Sequence, residues 1–305
     1  MSIVIVGGVA DPQVVRVRHE IRARGGDSLH LDTAAFPEEL SLSFREGVVS
    51  AGGAVIEPPR VVYVRGLACH PLMPSLDEEL VARPRGLVAQ CDEKRAMLES
   101  LLLDWERRGA RLVNGLEANA QHSRKPYQLQ LLGAKGLPVP QWLATNDAGA
   151  VRAFVGEVGT AVYKPLAGGA TVRLVEEGDL STKRLAALAA APVLFQECVA
   201  GVSVRTFVVG GRVVAAAAIE SPELDYRRQE DGVEPTCLSA DERRAALTAA
   251  GACGLRFTGV DLIRGPDGFK VVECNPSPMF AVFEEKTGLD VAGPLADHLI
   301  ELACP

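Results

Sequence analysis

The chain has 305 residues, with 32 Lys plus Arg against 39 Asp plus Glu and a formal net charge of −7. That balance excludes nucleic-acid binding by bulk electrostatics, and no apolar run is long enough, at about 18 residues, to span a membrane. Hydrophobic residues make up 48% and aromatics only 5%, so Ala, Val and Leu must fill a core sized for about two domains of ~100–200 residues.

Seven cysteines (Cys69, Cys91, Cys198, Cys237, Cys253, Cys274 and Cys304) lie at scattered spacings with no C-x-x-C, and five histidines form no H-E-x-x-H. This argues against a disulfide framework and against structural zinc. The opening MSIVIVGGVADP has no basic n-region and no cleavage-like site, so a cytoplasmic protein is expected.

In chain order, residues 4–7 read as a buried strand, 12–24 as a helix ended by Gly25-Gly26, and 28–32 and 61–64 as further strands. Strand alternating with helix predicts a parallel sheet. Gly7-Gly8 lacks G-x-G-x-x-G spacing and reads as a tight strand-to-helix turn. Arg65 ends the strand 61–64 and reads either as facing a cleft or, slightly favoured, as a surface residue. A long helix is expected over 86–108 and another over 123–134, stopped by Gly136, Pro138 and Pro140. Beyond this boundary, 160–165 reads as a strand and the Ala-rich 180–191 as a helix capped by Ser181 or Thr182. Strands follow at 193–197, 204–209 and 212–219, the last two joined by Gly210-Gly211. Residues 221–236 read as a long polar loop. Ser239 with Glu242 makes a capping box for a helix to Cys253. A hairpin over 258–263 and 269–273 and a closing helix over 290–302 complete the reading.

That last hairpin carries the chemistry. Side chains alternate along a strand, so Glu273 and Asn275 share a face. Taking the turn as odd in length, centred on Asp267, puts Asp261 directly opposite Glu273. Two facing carboxylates are unfavourable unless a cation neutralises them. An all-oxygen set suits magnesium completed by phosphates and water. Phosphates in turn need cations. Lys164 ends a strand beside Gly168-Gly169 and can meet a phosphate there. No P-loop signature is present. Lys125 and Arg205 are each unremarkable alone. No G-x-S-x-G and no paired histidine offers a nucleophilic alternative. Cys198 and Cys274, which flank these residues, read as small buried hydrophobes.

Taken together, Lys125 opening a helix, Lys164 with its glycine loop, the strand Phe195-Gln196-Glu197 and the Asp261/Glu273/Asn275 hairpin resemble the ATP-grasp ligases. The similarity is to RimK-like amino-acid ligases and to microviridin-type peptide macrocyclases. It is carried by KPYQLQLLGAKGLPVPQWLATND, QECVAGVSVRTFVVGGRVVAA, GVDLIRGPDGFKVVECNPSPMF and EEKTGLDVAGPLADHLIEL, and at the front by HLDTAAFP and VVYVRG.

The resemblance implies an α/β ATP-grasp fold. A pre-grasp domain would occupy residues 1–118, a central lobe 119–194, and a C-terminal lobe 195–305. It implies ATP with Mg2+ or Mn2+, and an ADP-forming ligase that joins a carboxylate to an amine or hydroxyl. The substrate would be a small molecule or a peptide, and a homo-oligomer is compatible. Lys125 and Lys164 would hold phosphates, and Gly168 and Gly169 would form a lid. Gln196, Glu197, Cys198 and Val199 would form the adenine hinge, and Ser203 would stand near the ribose. Asp261, Glu273 and Asn275 would bind the metal. Arg205 would steady the transferred phosphoryl group, with Arg227 or Arg228 at the acceptor. Within the resemblance, HLDTAAFP leans to the macrocyclases and the Asn275-Pro276-Ser277-Pro278 tail to the RimK-like ligases. A regulatory module that binds ATP without turnover is the reading from another class, and the intact set of charged residues argues against it.

Overall fold

The computed structural model describes residues 2–168, 171–220 and 232–304. Gly169, Arg227 and Arg228 therefore lie outside the described residues. The chain divides into two compact units, one of residues 1–116 with 292–305 and one of residues 117–291.

The front unit starts with β1 (Ile3–Gly7), α1 (Pro12–Ala23) and β2 (Ser28–Asp32). Asp11 caps α1 by accepting from Gln13 N at 2.8 Å, and Pro12 supplies a first-turn φ that suits a helix. Next come β3 (Leu42–Arg45), β4 (Val48–Ala51), β5 (Ala54–Ile56) and β6 (Val61–Val64). They are followed by α2 (Asp77–Ala82), α3 (Pro84–Arg107) and β7 (Arg111–Val113). The parallel sheet has the order β2-β1-β6-β7. Its central strands are buried on both faces, which is why they read as continuous Val and Ile. Val4, Val6, Val62 and Val64 cluster with Leu98, Leu101, Leu102 and Trp105 of α3. The small antiparallel sheet β3-β4-β5 was not expected, and it adds Val49 and Ile56 to that cluster. Its turns use Glu46-Gly47 and Gly52-Gly53, all at positive φ. Arg65 is not a solvated surface residue: its Nε donates to Asp11 Oδ2 at 2.8 Å, and both side chains are largely covered.

The back unit holds α4 (Leu116–Ala120), α5 (Lys125–Ala134), β8 (Trp142–Thr145), α6 (Ala148–Val158), β9 (Ala161–Lys164) and β10 (Arg173–Leu174). It continues with α7 (Thr182–Leu185) and β11 (Val193–Glu197). A first antiparallel sheet runs β10-β9-β11-β8. The Ala-rich segment is not one helix: α7 has a single turn, with 3-10 turns at Glu177–Leu180 and Ala186–Ala189. Only Leu185 and Leu188 are buried in the core there, with Leu180 packed partly against it, so a longer helix would bury little more and gains little tertiary support.

A second sheet, β14-β13-β12-β15-β16, is built from β12 (Val202–Val209), β13 (Arg212–Glu220), β14 (Gly232–Pro235), β15 (Phe257–Gly265) and β16 (Gly268–Asn275). The described end of the expected 221–236 loop is thus a strand, paired to β13. α8 (Ala240–Ala252) begins at the predicted capping box, with Ser239 and Glu242 bonded both ways. Its Ala245, Ala246, Ala249 and Ala250 let the helix approach Val204, Val260, Leu262 and Val271 closely. α9 (Ala281–Thr287) packs Phe283 against Phe207 at a centroid distance of 4.7 Å.

The last helix, α10 (Ala292–Ala303), returns to the front unit and packs on α1, β1 and β6. The second compact unit ends at Val291. The apolar stripe of α10 fits either unit; the contacts decide. All seven cysteines are free. Among the described residues no helix is long and apolar enough to cross a membrane.

Candidate active site

Within the back unit a cleft of about 200 Å³, open to solvent, lies between its two sheets and α5. The β15–β16 hairpin forms one wall. Asp261 pairs directly with Glu273, and Asn275 follows on the same strand opposite Gly259. The route to that pairing differs from expectation. The turn has two residues, Pro266 and Asp267, and the register then shifts between Asp261 and Leu262, leaving Val272 as an extra, bulged residue. The bulge lets adjacent residues serve one cleft, so Val272 offers apolar surface beside the Glu273 carboxylate.

Cations meet both carboxylates. Lys125 is the first residue of α5, only 8% exposed, and its Nζ lies 2.5 Å from Glu273 Oε2. Lys164 ends β9, 7% exposed, with Nζ 3.7 Å from the same oxygen. Arg205 sits on β12 beside Asp261 and grips it bidentately, Nε to Oδ1 and Nη2 to Oδ2, the latter at 3.0 Å. Burial by itself would raise the pKa of Glu273, but Lys164 and Lys125 outweigh it and hold that carboxyl well below its usual range. Burial keeps Asp261 above its ordinary value; Arg205 pulls the other way, and the charge of Glu273 adds to the rise. Of the facing pair, Glu273 is thus the firmer anion.

The donor set tests the expected ligands. Among the described residues no three His, Cys, Asp or Glu side chains gather to hold a metal. Two carboxylates and the Asn275 carboxamide are an oxygen set too small to enclose a cation, which fits magnesium that takes phosphate oxygens as well. A nucleotide fit is supported on the opposite wall. Gln196 is 3% exposed and lines the cleft, and its Nε2 has no partner among the described residues. A buried donor without an acceptor is costly unless a ligand supplies one.

Most expected residues converge here: Lys125, Lys164, Gly168, Gln196, Glu197, Cys198, Val199, Ser203, Arg205, Asp261, Glu273 and Asn275 all line the cleft. Three features were not anticipated. His122 lines it too, and a Cβ on Gly168 would stand 3.3 Å from its Nε2. Val272 enters through the bulge. Gln128, one turn along α5 from Lys125, accepts from Cys274 N and donates to Cys274 O, both at 2.8 Å. It clamps the backbone between Glu273 and Asn275. The only signal for Gln128 is its i+3 spacing from Lys125, which puts both on one helix face.

The RimK-like ATP-grasp domain model matches residues 123–299, more than half of the chain and including every described cleft residue except His122. The chain belongs to the RimK-like ATP-grasp family. As a member it is an ATP-dependent ligase, as the resemblance implied. A probable alpha-L-glutamate ligase of Shewanella loihica is 34% identical, covering 68% of this chain and 72% of that one. The ATP-grasp ligase PsnB, solved with a phosphomimetic variant of a minimal precursor, Mg and ADP, is 38% identical with a TM-score of 0.92. That likeness covers 100% of this chain and 99% of PsnB. The macrocyclase MdnC of Microcystis aeruginosa, at 23% identity and a TM-score of 0.80, shares the fold.

Proposed function

We propose that this RimK-like ATP-grasp protein binds Mg·ATP in the cleft and activates carboxylates of a precursor peptide, closing ester or amide crosslinks within it. The cleft carries the ligase half of this reading: two lysines and an arginine surround two facing carboxylates beside the buried Gln196, whose Nε2 has no partner among the described residues. The peptide half rests on likeness to PsnB that runs through the front unit, whereas the RimK-like match starts at residue 123. The glutamate-ligase relative supports a second reading, in which an amino acid is the acceptor.

The hinge residues Glu197 to Val199 would hold adenine by their backbone, with Gln196 facing the base and Ser203 near the ribose. Asp261, Glu273 and Asn275 would hold magnesium, which when bound supplies charge neutralisation and orientation of the phosphates. Lys125, Lys164 and Arg205 would shift from the carboxylates toward phosphate oxygens. There they would balance charge as the substrate carboxylate takes the γ-phosphoryl group and ADP leaves. An amine or hydroxyl of the acceptor then adds to the acyl carbon, inorganic phosphate departs, and the acceptor's proton passes to solvent. The loop bearing Gly168 and Gly169 would cover the acyl phosphate against water. Arg227 or Arg228 would face the acceptor. Residues 119–194 and 195–291 are read as the two lobes, and the protein as cytoplasmic.

The deciding experiment supplies ATP and magnesium with a candidate precursor peptide or with a pool of amino acids and small carboxylates. ADP release with peptide, together with loss of one water per crosslink in its mass, is the expected outcome. ADP release only with amino acids would replace the peptide reading by the glutamate-ligase one. No ADP release and no ATP binding would remove both.

A further inference from the structure

The hinge and the hairpin that carries Asp261 and Glu273 meet backbone to backbone. The chain leaves β11 at Glu197 and enters β12 at Val202, and the residues between run past the turn end of β15–β16. A Cβ on Gly201 would land on the carbonyl group of Arg264, and one on Gly265 would stand 2.9 Å from the Ala200 carbonyl oxygen. Both obstacles are main chain, so no change of rotamer could relieve them. Lys270, on the other strand of the hairpin, closes the same junction. Its ammonium lies 3.4 Å from the Glu197 carboxylate and 3.5 Å from the Val139 carbonyl oxygen. The next residue, Val271, donates from its N–H to Pro138 O at 2.8 Å. β16 is therefore tied to the hinge and to the segment entering β8 just before it reaches Glu273.

We propose that Gly201 and Lys270 are positioning residues that fix the distance between the hinge and the carboxylates Asp261 and Glu273. This rests on the nucleotide reading above and deepens it. With that distance fixed, a ligand gripped at its base has its phosphates already delivered to the hairpin, so the two ends bind as one. Moving the hinge then harms ligands that carry adenine and spares a bare phosphate chain. A glycine needed only for folding would affect both alike.

The test compares affinities for magnesium ADP and for magnesium tripolyphosphate, by calorimetry, in the full chain and in Gly201→Ala and Lys270→Met. The expected result is weaker ADP binding, about tenfold for Gly201→Ala and about threefold for Lys270→Met, with tripolyphosphate affinity unchanged. Lys270→Met leaves the main chain intact and carries the test if Gly201→Ala does not fold. Equal losses for both ligands, or no loss for ADP, overturn the proposal while leaving the nucleotide reading standing. A wild-type chain that binds neither ligand removes the nucleotide reading, and this inference with it.

Discussion

Two hairpins of the back unit, β12–β13 and β15–β16, are built alike and used differently. Each turns on two residues, Gly210-Gly211 in one and Pro266-Asp267 in the other. Each carries one register shift, at Phe207/Val208 and at Asp261/Leu262. In β12–β13 the shift lies between a buried Phe207 and a run of small residues, Val213 to Ala217, none of which lines the cleft. In β15–β16 it lies at the facing carboxylates Asp261 and Glu273 and brings Val272 and Glu273 to one cavity. The same irregularity serves packing in one hairpin and the site in the other. What separates them is the residue placed there, not the backbone device.

The largest way to break this comparison is to neutralise the second hairpin. Glu273→Gln or Asp261→Asn should reduce ADP-forming turnover by about 10³-fold or more, because each removes charge-based positioning of the phosphates. Circular dichroism should stay native. Near-normal turnover in both variants would remove the metal site from the mechanism. Arg205→Lys, on the first hairpin, should lower turnover about 10–100-fold, since an ammonium cannot reproduce the bidentate grip on Asp261. An unchanged rate would show that charge alone suffices there.

A stability effect ranks next. Arg264, at the outer end of β15, pairs with buried Glu242 of the α8 capping box and also reaches Thr236 Oγ1 and Cys237 O. Burial would raise the Glu242 pKa, but Arg264 and the Ser239 backbone outweigh it and hold it below its usual value. A depressed folded-state pKa stabilises above the unfolded carboxylate pKa, about 4.3, and the gain fades as pH falls through the folded value. Glu242→Gln should therefore cost about 2 kcal/mol at neutral pH. The gap between denaturant titrations of the two proteins should start to narrow as pH falls below about 4.3 and close once pH is under the folded-state value. A gap that persists undiminished there would mean that packing, not charge, carries the pair.

Smaller effects sharpen the contrast. Val272→Ala should raise KM for ATP about threefold with kcat nearly unchanged, as expected when apolar contact area is lost equally from ground and transition states. Gly211→Ala should cost about 1 kcal/mol, because its φ of 75° disfavours a side chain, and should leave ADP release untouched. Loss of activity from that turn would show that the hairpins are coupled more tightly than their contacts suggest.

Much of the site was legible because its chemistry is local. Asp261, Glu273 and Asn275 stand on neighbouring strands, and alternation alone puts Glu273 and Asn275 on one face. The Ser239/Glu242 box and the Gly210-Gly211 turn are short signals that the backbone obeys wherever they occur. Other features were less legible for physical reasons. Strands of three or four residues around Glu46-Gly47 and Gly52-Gly53 are too short to show alternation. Alanine propensity over residues 180–191 was overridden because only Leu185 and Leu188 there are buried in a core. Gln128 could not be picked out, since its carboxamide acquires meaning only against the Cys274 backbone, far along the chain.

By itself the sequence determined which charged and carboxamide side chains are present, and the period of the strands and helices that carry them, because both follow from side-chain chemistry and local backbone preference. Tertiary structure alone decided that Lys125, Lys164 and Arg205 converge on two carboxylates, and that a bulge turns Val272 into the cleft. It also decided that α10 folds back on the front sheet. Those outcomes depend on which apolar faces meet and on backbone contacts between distant segments, and no local pattern encodes the partner of a buried face.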